Sequence, residues 1–236
     1  VPAVTKRLYD AAAAVPADGG LTVALDGRPV RTPAKAPLVV PGAALAEAIA
    51  SEWAAQDAEV RPETMPLTRL ANSAIDRVAA RRAEVVDQVA AYGNTDLLCF
   101  RADAPSALVE RQTAVWQPLV DWAAATLGAS LRVTTGIVPV AQPPETLAAL
   151  RMALEALDDF ELGAVGQLTA ATGSLVIALA LDAGRLTPDE AFAASQLDET
   201  FQMEAWGEDD EALARRAALE AEIAAAARFL ALHRAG

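Results

Sequence analysis

The sequence predicts an α+β fold: a small antiparallel β-rich part over residues 1–42, then a larger all-helical part over residues 43–236. Three observations predict it. Before residue 42, apolar residues alternate with period two around an Asp-Gly pair and several prolines. From residue 43 on, apolar residues recur at three- and four-residue spacing. Much of the 53% hydrophobic content is alanine, the best helix former, rather than large apolar side chains. The 236 residues make one large domain or two small ones, enough to bury a core. The composition shift near residue 42 marks the expected boundary.

In the β-rich part, Leu21, Val23 and Leu25 alternate with Thr22 and Ala24. Asp26-Gly27 is a hairpin signal, because both central positions of that turn favour positive φ. The chain returns through Arg28–Arg31, where Pro29 lacks a ladder donor and so belongs on a sheet edge. Residues 33–37 make a second turn, 38–40 a third short strand, and 4–9 offers another.

The helical pattern opens with Leu45, Ile49 and Trp53 on one face. Pro66 starts a second helix, where its missing N–H is not needed. A third runs over 81–92 and stops at Gly93-Asn94, and Asn94-Thr95-Asp96 can cap the next segment. A long helix is expected over 106–127, kinked or split at Pro118. Residues 131–140 read as extended, and Pro143-Pro144 opens the next helix. Residues 162–181 carry no charge. Gln167, Thr169, Thr172, Ser174 and three glycines argue against a membrane span, so one helix buried on all sides in a protein core is expected. Thr187-Pro188-Asp189-Glu190 is a capping-box start, and the last helix covers roughly 209–233 with acids first and arginines late.

A formal charge of −13 argues against nucleic acid and against anionic membranes. It fits a partner with a basic or mixed surface. The single cysteine, Cys99, lies in an apolar run and reads as a buried small hydrophobe. No basic region followed by an apolar run opens the chain, so no secretory signal and a reducing compartment are expected.

The candidate site is the stretch 197–211, LDETFQMEAWGEDDE. At 100° per residue, Leu197, Phe201 and Ala205 share one helix face; Glu199, Gln202, Met203 and Trp206 share the opposite one. Gly207 stops the helix and four acids follow. An apolar-plus-polar face beside acids suits a protein–protein contact better than a reaction centre. Trp53, Trp116 and Trp122 read as core; Trp206 is either core or an interface anchor. The lone histidine, His233, has no second histidine to join it, which excludes a histidine triad or His/Cys zinc site, and no phosphate-binding glycine loop is present. No cofactor is expected. The competing reading is a carboxylate- or metal-dependent small-ligand enzyme built on the C-terminal acid cluster, with Glu204, Glu208 or Asp209 in a concave pocket of convergent geometry.

Six motifs carry a family resemblance: Lys6–Tyr9, Leu25–Pro33, Glu52-Trp53, Met65–Asn72, Asn94–Phe100 and Trp206-Gly207. Together they span nearly the whole chain. The sequence resembles the ATP synthase assembly chaperones of the Atp-twelve type, and its alanine-rich composition suggests a bacterial relative. The resemblance implies a β-rich N-terminal and a helical C-terminal part, no catalysis, and a cytoplasmic place in a bacterium (the mitochondrial matrix in eukaryotic relatives). The implied partner is the unassembled α subunit of the catalytic head, whose subunit interface is shielded until the β subunit arrives. It also implies an acidic contact residue near the C-terminal helices. Glu199, Glu204 and Glu208 all fit, and Glu199 is the first choice because it shares a face with Gln202 and Trp206. The expected partner-binding set is therefore Glu199, Gln202, Glu204, Trp206 and Glu208. The same Glu199 face could instead turn inward and hold the last helices together. The oligomeric state is not legible.

Overall fold

A computed structural model describes residues 5–207 and 209–236. The chain forms two compact units. Unit 1 takes residues up to 82, 159–164 and 225–236; unit 2 takes 83–158 and 165–224.

In unit 1, β1 (Thr5–Lys6) precedes a four-stranded antiparallel sheet of β2 (Ala12–Ala17), β3 (Gly20–Leu25), β4 (Arg28–Pro29) and β5 (Val39–Val40). The Asp26-Gly27 turn forms as its dipeptide predicts, with φ of 47° and 79°, and Leu25 faces Arg28 across it. β4, with Pro29, lies at the sheet edge. β3 departs from simple alternation: Thr22, Val23 and Ala24 are all buried in this central strand, which is flanked by β2 on one side and by β4 and β5 on the other. Helix α1 (Ala43–Ala54) packs against β2 and β3. β6 (Glu59–Val60) pairs with β1, and α2 (Pro66–Ser73) continues as a π-turn over Ala74–Val78.

The joints of unit 1 are side-chain groups meeting main-chain groups. Arg7 sits at the C-terminal end of α1, donating to the carbonyls of Ala54, Gln56, Tyr9 and Asp10, with its guanidinium 4.7 Å over the Tyr9 ring. A cation there complements the exposed carbonyls of the helix end. Asp26 accepts from the N–H groups of Ala11 (2.9 Å) and Asp10 (3.1 Å), which hold its carboxyl below the usual range. Helix α2 has no polar N-cap of its own, since Met65 stands there. Glu52 fills that role from α1: it accepts from Leu67 N and Thr68 N, both at 2.8 Å, and from the Thr68 hydroxyl at 2.7 Å. Asp76 likewise accepts from Thr32 Oγ1 and Ala34 N and pins the 33–37 turn. Phe160, His233 and Phe229 stack in this unit, with the His233 ring 5.3 Å from Phe160.

Unit 2 is helical, with one parallel pair of two-residue strands. Its elements are α3 (Arg82–Ala90), β7 (Phe100–Arg101), α4 (Ser106–Trp122), β8 (Thr134–Thr135) and α5 (Pro144–Glu155), then the unit-2 part of α6 (Asp159–Thr172). α7 (Leu175–Asp182), α8 (Pro188–Ser195), α9 (Leu197–Trp206) and the first part of α10 (Asp210–Arg234) complete it. Pro118 does not split α4, which runs unbroken past that exposed residue; the distortion is a π-turn over Ala123–Leu127.

The charge-free stretch is two helices, not the single one expected. Gly173, at φ +69°, ends α6, and Ser174 caps α7 by accepting from Ile177 N. A left-handed glycine followed by a serine is a stop and a start in adjacent residues. Leu175 to Leu181 are all buried, and α7 packs against α4 and α8. No helix among the described residues is long and apolar enough to cross a membrane.

The break is held by Asp96, which is fully buried. Its Oδ1 accepts from Ser174 Oγ (2.7 Å) and Leu98 N (3.1 Å), and its Oδ2 from Val176 N (3.1 Å). Burial pushes the Asp96 carboxyl above its ordinary range, and these donors oppose that shift. Cys99 is buried too, and desolvation, with Asp96 nearby, pushes its thiol up to about 12.

This packing can be tested at two residues. Asp96→Ala leaves two buried N–H groups and a hydroxyl without an acceptor, so urea unfolding should show a loss on the order of 3 kcal/mol. A loss below about 0.5 kcal/mol, the size of a surface change, would contradict the role given to Asp96. Cys99 should resist alkylation by iodoacetamide in the folded protein near pH 8 and react once urea unfolds it, because the folded thiol stays protonated far above that pH. Rapid labelling of the folded chain would contradict its burial.

Candidate partner-binding site

Helix α9 is anchored at its start and loose at its end. The Trp116 indole, 1% exposed, donates to Ala194 O at 2.8 Å and fixes the end of α8. That helix begins with the predicted capping box of Thr187 and Glu190. Leu197 is buried. Asp198 accepts at 2.8 Å from the buried Gln112, whose own oxygen accepts from Ala102 N. Farther along, Phe201 and Met203 are half-buried, while Gln202, Glu204, Ala205 and Trp206 are exposed. An exposed polar tie holds this end. Arg111 Nη1 meets both Glu204 oxygens at 2.9 and 2.8 Å, and its guanidinium lies 5.3 Å over the Phe201 ring. Both partners are exposed, so the ion pair contributes at most about 1 kcal/mol.

Gly207 turns the chain at φ +93°, a conformation that disfavours any side chain. Asp209 then caps α10, its Oδ1 accepting from Glu211 N (2.9 Å) and Ala212 N (3.0 Å). Ala212, Arg216, Leu219 and Ile223 form one helical stripe; of these only Ile223 is fully buried. Arg216 is the main polar tie from this stretch. It donates to Thr200 Oγ1 (2.9 Å) and Gln196 Oε1 (3.3 Å) and lies 5.1 Å over the Phe192 ring.

This sparse packing leaves two open grooves along α9. One, of about 420 Å³, is lined by Glu199, Gln202, Met203, Trp206, Arg215 and Leu219 among others. The second, of about 410 Å³, includes Phe192, Glu204, Leu213 and Ala217. Met203 and Arg216 border both. Trp206 is 87% exposed, so its indole is a surface group and not core.

The structure brings Glu199, Gln202 and Trp206 to the first groove and places Glu204 on the second. Glu208 lies outside the described residues. Glu204 and Asp209 do not converge: one pairs with Arg111, the other caps a helix. No group of three or more His, Cys, Asp or Glu side chains that could hold a metal occurs among the described residues. Arg111, Arg215, Arg216 and Leu219 belong to the site but escaped the sequence reading. Arg216 carried a signal, since it stands on the same helical stripe as Ile223.

Trp206→Ala should change unfolding free energy by less than about 0.5 kcal/mol. It should also remove the tryptophan emission most readily quenched by acrylamide. A loss above about 1 kcal/mol with unchanged quenching would place the indole in the core instead.

The profile of the family described as ATP12 chaperone protein matches residues 6–124. The mitochondrial protein atp12 of Schizosaccharomyces pombe is 27% identical over 207 residues, covering 83% of this chain and 71% of the relative. The crystal structure of Atp12 from Paracoccus denitrificans is 46% identical and superposes with a TM-score of 0.92, covering 98% of this chain and 99% of the other. The Atu1473 protein of Agrobacterium tumefaciens is 43% identical, with a TM-score of 0.92 and coverage of 97% and 86%. Its sequence motifs, its α+β fold and these relatives agree: the chain belongs to the ATP12 chaperone family.

Proposed function

We propose that this protein binds the unassembled α subunit of the ATP synthase catalytic head, covers its subunit interface and yields it to the β subunit. It does so in a bacterial cytoplasm and without catalysis. The observation that carries the reading is the exposed Trp206 beside an open groove, in a chain of this chaperone family. A free ring subunit exposes a large apolar interface and is prone to aggregate. A chaperone for it must offer apolar contact yet bind less tightly than the true neighbour, so that mass action can displace it. A half-apolar, half-polar groove on a lightly anchored helix end meets both needs. Glu199, Gln202 and Trp206 are the proposed contacts on one side, and Glu204 on the other.

Light scattering of isolated bacterial α subunit at 37 °C tests this. Equimolar chaperone should hold the subunit in solution, and added β subunit should release the chaperone into the free fraction. ATP turnover by the chaperone alone should not exceed the buffer blank. Scattering equal to that with serum albumin would refute the proposal.

A further inference from the structure

The formal charge of −13 is not shared between the two units. Unit 1 holds 12 lysines and arginines against 11 acids; unit 2 holds 7 against 21. The whole excess therefore lies in unit 2. Residues 182–222 alone carry 12 acids against Arg185, Arg215 and Arg216. Two of those cations are already engaged. Arg215 pairs with Glu211 at 3.0 Å, and Arg216 is held by Gln196, Thr200 and the Phe192 ring. Glu199, Asp210 and Glu220 are exposed and have no ion-pair partner among the described residues. Among these acids stands apolar surface that the fold does not use: Trp206 at 87% exposure, Leu213 at 40%, and the half-buried Met203 and Leu219 facing the groove.

We infer that the α9–α10 groove receives an apolar segment of the client protein that is flanked by lysine or arginine. The client's apolar side chain lies against Met203, Trp206 and Leu219, and its cations lie beside Glu199 on the groove and the exposed Asp210, next in sequence to the groove-lining Asp209. Charge complementarity selects this occupant. A second copy of the chain would bring the same acidic face against this one, and nucleic acid or an anionic membrane would be repelled. The asymmetry also orients capture. A basic client is drawn to unit 2, while the nearly neutral unit 1 adds little to the field. This inference rests on the client-holding function proposed above, and it adds the chemistry of the segment that is held.

The test is biolayer interferometry with isolated ATP synthase α subunit as the probe. Wild-type chaperone is compared with Glu199→Lys/Asp210→Lys and with Glu47→Lys/Glu63→Lys, an equal charge change on exposed acids of unit 1. The groove pair should weaken binding at least about tenfold and the control pair less than about twofold. Wild-type affinity should also fall at least about tenfold between about 50 and 500 mM NaCl, a measurement that needs no variant to fold. Equal losses in the two pairs, or wild-type affinity indifferent to salt, would overturn the inference and leave the client-holding function standing. No binding of α subunit by wild type at any salt would overturn both.

Discussion

Unit 2 depends on one carboxyl group that has no counter-ion among the described residues. Asp96 is enclosed and satisfied by two main-chain N–H groups and the Ser174 hydroxyl, at the start of a helix whose residues Leu175 to Leu181 are all buried. A helix N-terminus presents unpaired N–H groups and a partial positive charge, so a carboxyl there is stabilised in place of a cation. The bond spans 80 residues of sequence. It lets the charge-free stretch break at Gly173 and re-form as α7, which then carries α4 and α8. Glu52 does the same in unit 1, where α1 supplies the cap that α2 lacks. Several residues that carry the family motifs are thus joints of the fold rather than contacts for a partner.

Rigidity at those joints makes looseness elsewhere informative. Trp116, Gln112 and Leu197 fix the entry to α9 through buried contacts. Its far end is held by exposed ties, with open grooves on both sides. Local stability should fall from Leu197 toward Trp206, since buried contacts thin out in that direction. A binding surface that must later be vacated gains from such a gradient. Under the proposed function, the anchored end would keep the groove in place while the loose end adapts to a client and releases it.

Much of the fold was legible in the sequence because its signals are local. The Asp26-Gly27 turn, Pro66 at a helix start, the Thr187 capping box and the stop at Gly207 each act within a few residues. The two faces of α9 came from helical spacing alone. What stayed hidden depends on distant partners. Nothing in the sequence around Glu52 points to Leu67, and nothing around Asp96 points to Val176. The split at Gly173-Ser174 was locally signalled, but the absence of charge over 162–181 masked it. Pro118 does not split α4, which continues past this exposed residue. The cations of the site were missed for a related reason: whether Arg111 and Arg216 face solvent or α9 is decided by packing, not by spacing.

Hydrogen–deuterium exchange of the chaperone with and without bound α subunit tests the central claim most directly. Bound client should slow exchange over residues 203–222, spanning the end of α9 and the exposed part of α10. The β2–β3 hairpin and the buried α7 should exchange as before. Protection confined to other surfaces, such as the exposed apolar loop at Ile137 and Val138, would contradict the claim that the α9–α10 groove holds the client.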